Sequence, residues 1–384
     1  MLTSGIWFKE LPRSAAASVE TLAADARDKQ EHAQKVKHCA RNGAYIRVKV
    51  EIRAVSNPYY TGRPTDHFDG TRFFNPNGIE PGGFGDLLRW QFSKGRIKWD
   101  KHYENKFPPA VPDSKIEGDA LRVTMVGHAS LLIQTAGINI LTDPVWSNRV
   151  SPFSFIGPKR TSLPGIAFSA LPPIDVVLIT HNHYDHLDLD TLKALNLRHH
   201  PLLVMPLGND TIVEDAAPGA RMAVLDWGDG INISEGMAVY ATPCHHWSAR
   251  GMNDRRMALW CAFVITTPSG NLYHIGDTGF HDGINYRAAA EAYGGFRLAT
   301  LPIGAYEPRW FMKSQHQNPE EAVEGMLLCN AAYALGHHWG AFQLTDEGRE
   351  DPPTALTAAL TKRSIEPTRF RAMHPGEVFD IPLG

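Results

Sequence analysis

Four potential metal ligands stand within six residues in His181-Asn182-His183-Tyr184-Asp185-His186. Imidazole and carboxylate are ligands that zinc, iron and manganese accept. His181 and His183, two residues apart, can converge on one ion, while Asp185 and His186, displaced along the loop, can serve a second. Paired ions turn water into hydroxide near neutral pH and clamp a phosphoryl or acyl group. A surface turn with solvated histidines is the plain alternative, and this spacing is too specific for it. Two ions need further ligands, and three later places offer them: His245-His246-Trp247, Asp277 in Ile275-Gly276-Asp277-Thr278-Gly279, and His337-His338-Trp339. Each is weak alone, since a strand-end Asp is more often a turn residue. A His, a carboxylate and a His, in that order and each at an element end, supply what the first motif lacks.

The elements that must position these groups are strands. Ile174 to Thr180 is a largely apolar run directly before His181, as in a strand buried on both faces. Leu121 to Gln134 reads as one strand-like run, and Gly137 then breaks it from Ile138 to Thr142, which suggests a hairpin. Further strand signals lie at Met237 to Thr242, Ala258 to Thr266 and Leu272 to Ile275. Helices are expected over Leu189 to Arg198 and after Asn318, where Pro319 and Glu321 complete a capping box. Strands and helices interleave, so the class is α/β. Before about Gly118 the chain reads differently. Val19 to Lys37 suits a polar helix, Ser56 to Gly85 a long ordered loop, and Gly85 to Arg96 a short amphipathic helix; Phe107 to Pro112 is a proline-rich link.

Bulk properties narrow the partners. With 384 residues there is room for one large domain and an appendage. A formal net charge of −3 argues against nucleic acid as a partner. The four cysteines, Cys39, Cys244, Cys261 and Cys329, form no CxxC pair and suit free thiols in a reducing compartment. Apolar runs are strand-length, so no bilayer-spanning segment is expected. The expected address is the cytoplasm, with peripheral contact at a membrane as the alternative.

The order H-x-H-x-D-H, His, Asp, His resembles the ligand set of the metallo-β-lactamase superfamily. Gly127-His128-Ala129, Leu141-Thr142-Asp143-Pro144, Gly157-Pro158-Lys159-Arg160, Leu171-Pro172-Pro173-Ile174-Asp175, Gly276-Asp277-Thr278-Gly279, the run from Pro302 to Met312, and Gln315-His316 are similar to its N-acyl-phosphatidylethanolamine phospholipase D branch. The similarity covers about Leu121 to Gly376, with weaker echoes from His67 to Trp90. It implies a metallo-β-lactamase αβ/βα four-layer sandwich over residues 119–384, behind an N-terminal extension, 1–118, suited to membrane or dimer contact. It implies two zinc ions, with iron or manganese as substitutes. One would sit on His181, His183 and His246, the other on Asp185, His186 and His338, with Asp277 bridging. In the family the ligating His directly precedes Trp, which selects His246 over His245 and His338 over His337.

The resemblance further implies metal-assisted phosphodiester hydrolysis of a phospholipid, releasing phosphatidic acid and an N-acylethanolamine, and suggests a homodimer. Asp185 and Asp277 are then catalytic as well as ligating. His316 either protonates the leaving alkoxide or hydrogen-bonds the phosphate, against the plainer reading of a helix-start histidine. Asp143 supports a ligating His or simply turns the chain before Pro144. Gln315 accompanies His316 beside the substrate, and Arg250 pairs with a phosphate or is a solvated surface residue. Trp7, Phe8 and Phe153-Ser154-Phe155-Ile156 offer an apolar lip or core packing. Three other readings compete: a lactonase or other ester hydrolase acting on a small soluble substrate, a nuclease disfavoured by charge, and a non-catalytic metal-binding protein disfavoured by the complete ligand set.

Overall fold

The structure, a computed structural model, describes the backbone of residues 35–41 and 44–50, then residues 56–76 and 78–383. The first two segments are antiparallel strands, β1 (Lys35–Arg41) and β2 (Ala44–Val50). The polar helix expected over Val19 to Lys37 therefore yields to strand at its last three residues. Residues 19–34, with Trp7 and Phe8, lie outside the described residues. The chain divides into compact units at Met1–Ser56 and Asn57–Gly384.

The second unit opens with irregular chain and a short helix, α1 (Phe84–Gln91). Its first sheet runs in the order β16-β3-β4-β5-β6-β7-β8. These are β3 (Leu121–Gly127), β4 (Ser130–Thr135), β5 (Ile138–Thr142), β6 (Val176–Leu178), β7 (Leu202–Pro206), β8 (Arg221–Leu225) and β16 (Val378–Asp380). Helices α2 (Leu189–His199) and α3 (Asn209–Ala216) follow β6 and β7. The second sheet, β15-β14-β13-β12-β11-β10-β9, contains β9 (Gly230–Ser234), β10 (Met237–Thr242), β11 (Ala262–Thr266), β12 (Asn271–His274), β13 (Phe296–Pro302), β14 (Ala331–His337) and β15 (Phe370–Ala372). Helices α4 (Ile284–Tyr293), α5 (Arg309–Met312), α6 (Pro319–Leu328) and α7 (Asp351–Lys362) complete it. Each sheet is antiparallel on one side and parallel on the other.

Alternation along single strands explains the layering. Leu131 and Ile133 face a core shared with Val239, Phe263 and Leu298 of the other sheet, while Leu132 faces Leu192 and Val213 of the covering helices. On the second sheet, Val264 and Leu301 point outward against Tyr286, Val323 and Leu356. Both faces of both sheets are covered, which makes the αβ/βα sandwich and accounts for the continuous apolar runs. Full burial of each such Leu or Val stabilises by about 2 kcal/mol.

Several boundaries differ from expectation: the helix expected over Gly85 to Arg96 runs Phe84–Gln91, and the strand within Ile174 to Thr180 is Val176–Leu178. Leu121 to Gln134 is two antiparallel strands, because Gly127 (φ 142°) and His128 (φ 56°) turn left-handed between them. The run from Ala258 joins the ladder only at Ala262. The capped helix is as its residues predict: Asn318 Oδ1 accepts from Glu321 N at 2.8 Å, and Glu321 Oε2 accepts from Asn318 N at 2.9 Å.

Candidate metal centre

The loops after β6, β10, β12 and β14 emerge at one end of the sandwich and carry His181 to His186, His246, Asp277 and His338 together. Close approach depends on Gly276, whose φ is +64° and on which a Cβ would lie 2.7 Å from Thr180 Cγ2. One group comprises His181, His183 and His246. His183 Nδ1 is 2.9 Å from His181 Nε2 and 3.2 Å from His246 Nε2. Outer hydrogen bonds assign the tautomers: His246 Nδ1–H donates to the Gln315 carbonyl (3.1 Å), and His181 Nδ1–H to Thr180 Oγ1 (3.0 Å). Both Nε2 atoms therefore present lone pairs to His183, whose single ring proton can serve only one of them. A cation among the three nitrogens resolves that conflict.

The second group is Asp185, His186 and His338, joined by His128. Asp185 Oδ2 lies 3.2 Å from His338 Nε2 and 3.6 Å from His186 Nε2. Asp277 Oδ2 spans both groups, at 3.0 Å from His338 Nε2, 3.3 Å from His186 Nε2 and 3.7 Å from His246 Nε2. His186 Nδ1–H donates to Asp143 Oδ2 (2.8 Å), leaving its buried Nε2 without a hydrogen-bond partner, as is Asp277 Oδ1. Imidazoles oriented from behind and carboxylates aimed at a common point are the donor chemistry of a divalent metal.

Asp143 organises this set from beneath. It also accepts from Thr180 N and Thr180 Oγ1, both at 2.7 Å, so one carboxylate holds His186 directly and His181 through the threonine hydroxyl. Burial alone would raise Asp143, but His186 and His274 outweigh it and hold it at about 2. Asp277, buried, and Asp185, partly buried, are likewise driven well below the carboxylate range against the upward push of burial, by His338 and by His186 respectively. His338 resists its own burial and rises to about 9 beside Asp277 and Asp185. Burial and then His246 push His183 down to about 3. The two carboxylates thus call for positive charge between them.

The remaining sequence-selected residues fall around this centre. His245 turns away: its Nδ1 accepts from Asn285 Nδ2 at 3.1 Å and its ring stacks on His281. His337 is buried beside His274 and outside the converging groups. His316 Nδ1 is 3.9 Å from Asp277 Oδ2, and burial holds the ring well below the usual imidazole range. Gln315 meets His246 through its backbone, while its side chain lines the cleft. Arg250 does not sit as a phosphate partner. Its Nη1 donates to the carbonyls of Asn182 (3.0 Å) and Leu187 (2.8 Å), bracing the metal loop, and its guanidinium lies over Tyr184.

A cleft of about 540 Å³ leads to the centre, walled by Leu87, Trp90, Trp247, Met252, Phe311 and Met312. Phe153, Phe155 and Ile156 are exposed but do not line it, so the apolar lip expected there is supplied instead by residues 82–90 and 247–252. Two participants escaped sequence reasoning. Thr180 was visible only as a strand end. His128, whose Nε2 is 2.9 Å from Asp185 Oδ2, sits in the Gly127-His128-Ala129 string and could have been found from a polar residue interrupting an apolar run.

A family model described as the beta-lactamase superfamily domain matches residues 138–339. The N-acyl-phosphatidylethanolamine-hydrolyzing phospholipase D 1 of Caenorhabditis elegans is 36% identical over 270 residues, covering 68% of this chain and 76% of that one. The mitochondrial N-acyl-phosphatidylethanolamine-hydrolyzing phospholipase D of Saccharomyces cerevisiae is 33% identical over 258 residues, covering 66% of this chain and 54% of that one. Among solved structures, Igni18, a metallo hydrolase from Ignicoccus hospitalis, matches with a TM-score of 0.51 at 20% identity, over 69% of this chain and 100% of that one.

Proposed function

The chain belongs to the metallo-β-lactamase superfamily as a metal-dependent hydrolase related to the N-acyl-phosphatidylethanolamine-hydrolysing phospholipases D, and from that premise we propose that it is a dinuclear zinc phosphodiesterase cleaving N-acyl-phosphatidylethanolamine to phosphatidic acid and N-acylethanolamine. In this reading His181, His183 and His246 hold one ion, Asp185, His186 and His338 hold the other, and Asp277 joins them. When bound, the ions neutralise phosphoryl charge and bring the pKa of water near neutrality. Asp143, Thr180 and the Gln315 carbonyl keep the ligating imidazoles in the tautomers that leave their inner nitrogens free. His316, neutral and beside Asp277, is a hydrogen-bond partner for the substrate phosphate rather than a donor of a full proton.

The observation that carries the substrate class is the cleft. Its wall is mostly aromatic and aliphatic, which suits acyl chains and disfavours a small polar lactone. The hydrolase domain of this reading is residues 119–384, yet Gly82, Leu87 and Trp90 of the extension close the wall, so the extension shapes the substrate space. Among the described residues no helix is long and apolar enough to cross a membrane. Contact with the lipid surface is then peripheral in this proposal.

The test is product identity. Metal-loaded protein incubated with N-acyl-phosphatidylethanolamine in detergent should release phosphatidic acid and N-acylethanolamine, resolved by mass spectrometry. Diacylglycerol with a phosphorylated N-acylethanolamine would place cleavage on the wrong side of phosphorus. Intact lipid from fully loaded protein would remove the substrate assignment.

A further inference from the structure

Among the described residues that line the cleft, Arg255 is the one Lys or Arg. Its guanidinium lies over the Trp247 indole, 4.6 Å from the ring centroid, and that indole also contacts His183, with centroids 4.6 Å apart. The cation is thus one aromatic ring away from a ligating histidine. Nη2 donates to the carbonyls of Pro81 (3.1 Å) and Gly82 (3.0 Å), which fixes the fork against the cleft wall. Neither Nε nor Nη1 is sealed away from solvent, and neither holds a partner among the described residues. The neighbouring Arg256, by contrast, is matched by Glu80 at 2.5 Å. Arg255 is therefore a preoriented positive charge with no direct ion pair of its own among the described residues, although Glu80 also attracts it, and it stands in a largely apolar wall.

We propose that Arg255 determines which headgroup charge the cleft accepts, holding an anionic oxygen of the bound diester and turning away diesters whose headgroup carries an ammonium. The inference rests on the phosphodiesterase reading above. Acylation of an ethanolamine nitrogen removes its positive charge and leaves the diester anion alone. An unacylated ethanolamine or a choline diester brings a cation into the same narrow space, where like charges repel. Lysine is a poorer substitute, because only the planar fork can rest on the indole and both carbonyls while offering further N–H groups.

Two soluble probes with a common leaving group test this without a lipid phase: bis(4-nitrophenyl) phosphate, an anion, and 4-nitrophenyl phosphocholine, a zwitterion. The wild type should favour the anion by about tenfold in kcat/KM, the scale of one unit-charge contact at a half-exposed site. Arg255→Gln should bring the ratio close to one, Arg255→Glu should invert it, and Arg255→Lys should restore part of it. The change should appear in KM rather than kcat, with bound metal unchanged. Raising the ionic strength should erode the wild-type preference, a readout that needs no variant. A preference that survives Arg255→Gln, or is indifferent to salt, overturns the role of Arg255 while leaving the phosphodiesterase reading in place. Failure of metal-loaded wild type to cleave either probe removes that reading and the role with it.

Discussion

Asp143→Asn is the sharpest perturbation of the centre, because it changes one atom that touches no substrate. Three donors converge on the carboxylate: Thr180 N and Thr180 Oγ1 at 2.7 Å and His186 Nδ1 at 2.8 Å. An amide offers one oxygen and one NH₂. Thr180 N, fixed by the backbone, keeps the oxygen, so the NH₂ must face His186 Nδ1. His186 then has to accept there and carry its proton on Nε2, the nitrogen aimed at Asp277 and Asp185. Losing an outer partner of a ligating histidine costs about 10- to 100-fold in metal affinity, and the forced tautomer puts this variant near the upper end, about 2.8 kcal/mol. Thr180→Val, which breaks only the relay to His181, should cost about tenfold. Competition titration with a chromophoric chelator measures both, with thermal unfolding of the metal-free proteins separating binding from folding. Wild-type affinity and stoichiometry in Asp143→Asn would refute the argument.

Other predictions follow from single contacts. His128→Gln keeps an N–H for Asp185 and should retain both ions, whereas His128→Leu should lose about tenfold in affinity for one of them; equal loss in both, by metal analysis, would make His128 a ligand instead of a positioning residue. Asn318→Ala removes the Oδ1 that caps Glu321 N, leaving the backbone N–H of residue 318 to Glu321 Oε2, and should cost about 1 kcal/mol in denaturant unfolding, with no change meaning that water replaces the cap. Cys244, Cys261 and Cys329 are buried, and burial raises all three thiols, Cys329 to about 12. Thiolate is then scarce at pH 8, and Ellman's reagent should find these three only after unfolding; their rapid reaction in native protein would contradict the packing. Leu87→Asp in the cleft wall should raise KM for a long-chain diester well above its effect on bis(4-nitrophenyl) phosphate. Equal effects would separate residues 82–90 from substrate binding.

What the residues disclosed in advance was local. The motif from His181 to His186 is one loop, so its spacing alone brought the candidate ligands close, and the apolar run before it marked the strand that aims them. The capping box of α6 was equally readable, since its partners stand three residues apart. Three-dimensional choices were not. Spacing placed Arg250 near the phosphate, but its Nη1 is spent on two carbonyls of the metal loop, and Arg255 takes the cleft position because its fork is caught by Pro81 and Gly82. The apolar string at Phe153 to Ile156 suggested a lip, whereas Gly82 to Trp90 read only as loop and short amphipathic helix; the folded chain puts the latter, not the former, at the cleft. His128 was hidden by its left-handed backbone, which splits an apparently single strand and swings the ring towards Asp185.

Zinc titration of the metal-free protein, with N-acyl-phosphatidylethanolamine hydrolysis and bound metal followed together, tests the central claim most directly. The dinuclear account predicts that hydrolysis climbs to its plateau only as the second ion binds, and that Asp277→Asn, which loses the carboxylate shared by both groups, never reaches two ions per chain. Full activity with a single ion, or two ions retained by Asp277→Asn, would contradict it.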